Sequence, residues 1–295
     1  MKSKGLITTL VVFIVLLSLL ASVWGLLPGV GEAYEVNTVR GATVTIAGSG
    51  LYRYDSVGSV AQAKGQDLVT LILALPLLVF SLIWAHRGSL KGRLLLAGTV
   101  GYFLYTYASY TFLAMYNPLF LVYVAIMSIS FFSFISLFMS FDREQLRASF
   151  DKRFPARSIG GILIFIGAAI LLMWLGRIVP ALISGGEPVG IDHYTTLVIQ
   201  ALDLGFIVPA ALLAGISLIR RKALGYLLAP VMILKAASLL AAITAMAVMT
   251  ALSGLNVNYA ELAVFLVFDI LIIICLVQVL RNIRKTPVAG IADPS

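Results

Sequence analysis

One cysteine and two histidines in 295 residues leave little room for several kinds of chemistry. Cys275 stands alone inside an apolar run, so no disulfide framework, CxxC redox pair or thiolate metal cage can form within one chain. His86 closes one apolar stretch and His193 falls in a connecting segment, which leaves no buried histidine pair for haem or zinc. The GxxxxGK[ST] phosphate loop, the HExxH pair and the GxSxG elbow are all absent. These gaps weigh against several enzyme classes at once, and no metal or other cofactor is expected. Charge is scarce too: 12% of residues are charged and 61% apolar, against about 25% and about 45–50% for an ordinary soluble domain.

Long apolar runs are what the chain does have. Eight stretches, at residues 6–28, 67–85, 94–115, 119–141, 159–185, 195–219, 224–251 and 260–280, each approach the roughly 20 residues that a helix needs to cross the bilayer core. Lipid offers the backbone no hydrogen-bond partner, so the stretches are expected to be helices. The fold class read from them is all-α, a polytopic transmembrane bundle of about eight helices with the lipid bilayer as its main partner.

The net charge of +8 is a topology signal. Sixteen of the twenty-one Lys and Arg residues lie at the termini or in alternate connections, including Arg87, Lys91, Arg93, Arg143, Arg147, Arg157, Arg220, Arg221, Lys222, Arg281 and Arg284. The opposite connections hold only Arg40, Arg53 and Lys64. The positive-inside rule then places both termini in the cytoplasm of a multi-pass cell-membrane protein, and nucleic acid is not an expected partner. The first stretch begins MKSKG like a secretory signal, but its apolar run is long and no clean A-x-A site closes it, so a retained anchor is expected.

The domain organisation follows. Residues 1–28 form an anchor helix, 29–66 an external loop, 67–141 helices two to four, 142–158 a basic cytoplasmic loop, 159–281 helices five to eight, and 282–295 a tail. Within the external loop, YEVNTVRGATVTI alternates apolar and polar residues on both sides of Arg40 and Gly41, which reads as a small β-hairpin.

The two halves resemble each other. A shift of 133 residues aligns Pro76 with Pro209, Arg87 with Arg220, Gly92 with Gly225, and Leu94-Leu95 with Leu227-Leu228. Because both halves would start on the same side, a duplication would be parallel, two four-helix units related by an axis along the membrane normal.

Charges inside the apolar stretches are the candidate site. Asp269 lies about 15 Å below the external end of the last helix, and Lys235 is at a similar depth in the helix before it. A lone charge there costs about 2.5–3.5 kcal/mol on insertion scales, so the two are expected to pair. Arg177 and Asp203, each roughly 12 Å deep, form a second expected pair. Asp67, Gln66, Tyr102, Tyr105 and Thr106 are candidates to line a cavity between the helices, whereas Tyr110 and Tyr116 suit an interfacial aromatic belt. Prolines 76, 180, 209 and 230 interrupt helices near the same layer and could free carbonyls towards it.

The stretches GQDLVTLILALPLL, YFLYTYASY with NPLFLVY, and LDLGFIVPA with RRKALGYLLAPVMILK resemble a family of uncharacterised prokaryotic multi-pass membrane proteins. The resemblance spans most of helices two to eight and implies no activity and no functional residues. Two classes of function therefore stand on the physical reading, with an enzyme acting on lipid or within the bilayer a distant third. One is a transporter or permeation protein whose buried charges bind a small polar solute or relay a proton. The other is a membrane-embedded sensing, scaffold or assembly subunit whose charges are structural.

Overall fold

In the computed structural model, which describes residues 4–284, the apolar stretches are helices. Helix α1 spans Lys4–Leu26. The chain then forms an antiparallel hairpin of β1, Tyr34–Asn37, and β2, Thr43–Ile46, with Tyr34 opposite Ile46 and Asn37 opposite Thr43. Gly41 supplies the left-handed backbone its turn needs, at φ 87°.

Helix α2, Val57–Val69, continues through a π-helical turn at Thr70–Ala74 into α3, Leu75–His86. It starts earlier than the expected residue 67. The segment SVAQAKGQ is too polar to read as a membrane stretch, yet Ser56 caps it as a helix by accepting the Ser59 N–H at 3.3 Å. Helix α4, Leu90–Leu113, and α5, Phe120–Met139, complete the first half. The short α6, Arg143–Ala148, lies in the basic connection.

The second half repeats the order. It comprises α7, Ala156–Ser184; α8, Val198–Leu202, passing through a π turn at Asp203–Ile207 into α9, Val208–Ile219; α10, Ala223–Leu252; and α11, Tyr259–Asn282. Among the described residues, seven helical spans are long and apolar enough to cross a membrane, counting α2 to α3 and α8 to α9 as one span each. The expected eighth, α4, is a helix of 24 residues whose tyrosines, threonines and glycines lower its hydropathy. Fifteen of those residues are buried by neighbouring helices, so protein rather than lipid surrounds it.

The alignment at 133 residues holds in detail. The π turns at Thr70–Ala74 and Asp203–Ile207 are 133 positions apart, and each precedes a proline, Pro76 or Pro209. Proline lacks an N–H and crowds the carbonyl four residues back, and a locally widened turn relieves both problems. The Leu75 N–H therefore returns to the Thr70 carbonyl and the Val208 N–H to that of Asp203, each five residues back. After α3 the chain reverses through Gly88 at φ 78°, and after α9 through Arg221 at φ 51°. A Cβ on Gly92 would lie 2.6 Å from the Ala85 nitrogen, and one on Gly225 2.3 Å from the corresponding Leu218 nitrogen.

Helices α4 and α10 lie side by side at the centre, with α3 against α4 and α9 against α10. Helix α10 also packs on α2, and its counterpart α4 packs on α8, as a parallel duplication requires. The halves differ at their edges: α1 packs on α5, whereas α7 meets α11 through Phe165 and Phe268, 6.2 Å apart between ring centroids.

Each end of the bundle is tied. At the basic end α6 lies on α10, and Phe150 bridges to Ile283. Asp151 pairs with Arg284 at 2.9 Å. The Arg153 N–H, and then the Arg284 guanidinium, hold the Asp151 carboxyl below the usual carboxylate range. Of the expected tail, 282–295, only 282–284 lie within the described residues. At the hairpin end Arg40 donates to the Tyr194 carbonyl at 3.1 Å and lies 3.6 Å from Glu187, while Ser56 donates to Asp192 at 2.8 Å. These contacts join the hairpin and its following loop to the α7–α8 connection of the other half.

Candidate functional site

The two π turns place polar side chains against the central helices. Thr70, the first residue of one turn, faces Tyr102 of α4, their oxygens 2.9 Å apart. Gln66, one helical turn earlier, donates to the Tyr102 hydroxyl and reaches Thr106 Oγ1 at 3.4 Å. Gln66, Tyr102 and Thr106, all read from the sequence as lining candidates, are therefore brought together in one buried neutral layer.

Asp203, the first residue of the other π turn, occupies the place of Thr70. Its carboxylate accepts the Tyr105 hydroxyl at 2.6 Å and the Trp174 indole N–H at 2.9 Å. Lys235, which occupies the place of Tyr102, lies with Nζ 3.6 Å from the Tyr105 ring centroid. Lys235 is 5% exposed, and its buried ammonium makes no hydrogen bond to any described residue. Tyr105 links it to Asp203, with the ammonium on the ring face and the carboxylate on the hydroxyl. The second half thus puts Lys235 and Asp203 where the first has Tyr102 and Thr70, and Tyr105, from α4 of the first half, lies between the two charges.

Both expected ion pairs are corrected. Lys235 does not meet Asp269, whose carboxylate instead accepts the Thr244 hydroxyl at 3.0 Å. Thr244 follows Lys235 by nine positions on α10, which carries it about 13 Å along the axis and half a turn round the helix. Helix α11 therefore meets α10 on the face opposite Lys235 and holds Asp269 at the level of Thr244, so the two charges differ in depth as well as in face. Arg177 does not reach Asp203 either. Trp174, one turn earlier on α7, takes that carboxylate, while Arg177 is exposed with its guanidinium 5.5 Å from the Trp174 ring.

Asp67 belongs to a separate cluster. It is fully buried, accepts the Tyr52 hydroxyl at 2.7 Å and lies 3.0 Å from the Tyr110 hydroxyl. Tyr110 is thus a buried partner rather than part of an interfacial belt. Tyr52 and Trp174 had no sequence signal as site residues: the first lies outside the apolar stretches, and indoles are common in membrane helices.

Close to the hairpin end, Asp55 accepts the Met115 N–H at 3.0 Å and the Tyr194 hydroxyl at 2.8 Å, and its second oxygen has no partner among the described residues. Burial pushes the carboxyl above its ordinary value, more than those two bonds lower it. Burial likewise pushes the hydroxyls of Tyr52 and Tyr194 up.

No family model, curated protein or solved structure matches the chain. Fold and buried polar layers together define a multi-pass, all-helical integral membrane protein.

Proposed function

We propose that this protein is a transporter or permeation protein of the cell membrane whose solute site is centred on Lys235, Tyr105 and Asp203, with the basic end of the bundle in the cytoplasm. The resemblance to uncharacterised prokaryotic multi-pass proteins fits that setting. One observation carries the reading: the Lys235 ammonium is buried within a membrane-spanning helix and makes neither a hydrogen bond nor an ion pair with any described residue. A charge in that setting costs about 2.5–3.5 kcal/mol on insertion scales, and such residues mark solute or ion routes. A purely structural cation would instead spend its three N–H donors on carbonyls or a carboxylate. The ring face of Tyr105 leaves those donors free for an acceptor brought by a solute, so a small acid or another anion suits the site. The π turns support the reading, since widened turns break the regular backbone bonding beside both central helices.

The test is reconstitution into proteoliposomes with a panel of small organic and inorganic anions and an internal pH dye. The parent is expected to take up at least one panel member, and Lys235→Met, folded by its circular dichroism and elution volume, is expected to lose that uptake. Undiminished uptake by Lys235→Met would return the site to a structural role in a sensing or scaffold subunit. Orientation is checked with single cysteines at Gly41 and Lys152 in a Cys275→Ala background. Labelling of both from the same side would overturn it.

A further inference from the structure

We propose that Asp67 is a proton-binding site and that its carboxyl holds a proton in this conformation. Counting hydrogens leads there. Three close oxygen contacts surround the group: Tyr52 hydroxyl to Oδ2 at 2.7 Å, Tyr110 hydroxyl to Oδ1 at 3.0 Å, and Tyr110 hydroxyl to the Ala63 carbonyl at 3.0 Å. The two phenols bring two hydrogens, and a carbonyl brings none. Were Asp67 ionised, the single hydrogen of Tyr110 would have to choose between Oδ1 and Ala63, leaving one pair of lone pairs face to face in a buried site. A hydrogen on Oδ1 donated to the Tyr110 oxygen frees Tyr110 to donate to Ala63, and all three contacts are satisfied.

The surroundings favour the neutral acid for the same reason. Asp67 makes no ion pair among the described residues, and Lys64 of the same helix does not reach it. The groups facing it are Tyr52 from the loop after the hairpin, Tyr102, Tyr107 and Tyr110 from α4, Tyr123 from α5, and Ser22 from α1. Helix α10 meets α2 at Gly65 through its Ala245–Met246 backbone and brings no titratable group there. An unpaired carboxylate in such a place would go uncompensated. Asp203 is the opposite case: its two close contacts are met by two donor hydrogens, one from Tyr105 and one from Trp174, so its hydrogen count calls for no further proton.

Helix α1 closes the site. A Cβ on Gly25 would lie 2.0 Å from Oδ2 and 2.7 Å from the Tyr52 hydroxyl, so the bare α1 backbone seals the carboxyl. Exchange of the proton then needs α1 or the Tyr52 loop to move. Tyr52, its nearest donor, belongs to the hairpin end, which is the side from which the proton enters. As far as that proton drives solute movement, the inference rests on the transport reading above; the protonation itself does not.

Infrared spectroscopy of the full chain in vesicles at neutral pH tests the site directly. The expected result is a protonated-carboxyl C=O band that shifts in D2O, is missing from Asp67→Asn and persists in Asp203→Asn. A band indifferent to Asp67→Asn, or no such band in the parent, would overturn the proposal. Should Asp67→Asn fail to fold, Asp67→Glu keeps an acid in place, and a band that does not move on that change would overturn the proposal equally. In proteoliposomes, uptake by the parent should respond to an imposed proton gradient and that response should vanish in Asp67→Asn. A parent that takes up no panel member overturns the transport reading alone, while the infrared band still decides the proton site.

Discussion

Lys235 rests on the face of Tyr105, with Nζ 3.6 Å from the ring centroid, and the hydroxyl of the same ring donates to Asp203 at 2.6 Å. One tyrosine therefore serves a cation through its π face and an anion through its edge. Tyr105→Phe keeps the face and removes the donor, which should cost about 1.5–3 kcal/mol, as expected for a hydrogen bond to a charged group. Tyr105→Leu removes the face as well and should add about 2 kcal/mol for a desolvated cation–π contact. Unfolding in detergent micelles would measure both. A leucine variant no less stable than the phenylalanine variant would refute the π contact.

Thermodynamic coupling should run from Lys235 to Asp203 and not to Asp269. Asp269 is held by Thr244 on the opposite face of α10, so the stability losses of Lys235→Ala and Asp269→Ala should add within about 0.3–0.5 kcal/mol. Lys235→Met and Asp203→Asn share Tyr105, and their cycle should show coupling of roughly 0.5–3 kcal/mol. The reverse pattern would restore the pair first expected from depth.

That contrast shows what apolar runs can and cannot reveal. Helix number, the hairpin around Gly41 and the match of Pro76 with Pro209 were legible because membrane length, turn chemistry and repetition are local in sequence. The partners of Lys235 and Asp203 were not, since pairing depends on which face of a helix meets which neighbour. The alignment did contain a clue: Lys235 falls on Tyr102 and Asp203 on Thr70, and that neutral pair is in contact. Trp174 and Tyr52 reach their carboxylates through helix rotation and loop path, which no periodicity encodes.

If the halves are duplicates, matched glycines should behave alike. A Cβ at Gly92 or Gly225 meets the backbone of the preceding helix rather than a flexible side chain. Gly92→Ala and Gly225→Ala should each cost about 1–3 kcal/mol, the usual range for overpacking. Gly161 and Gly176, in α7, have nothing within 4 Å of a built Cβ. Alanine there should be neutral or stabilising by up to about 1 kcal/mol, because it is the better helix former. Melting temperatures of the four variants test this, and a benign Gly225→Ala would argue against equivalent turns.

Asp55 predicts a pH signature. Burial raises its carboxyl above the ordinary 3.8, so the folded state binds the proton more tightly than the unfolded state does. Below 3.8 both states are protonated and the group is neutral for stability. As pH rises from there through the folded value, the unfolded state ionises first and the fold loses stability. The full penalty stands above the folded value. Asp55→Asn cannot ionise and escapes it, so its melting temperature relative to the parent should climb with pH over that window and then level off. Tyr194→Phe removes one of the two donors that favour the ionised form, and should widen the window upwards. A difference between Asp55→Asn and the parent that is flat with pH, or that falls as pH rises, would mean that the carboxyl is not disfavoured by burial.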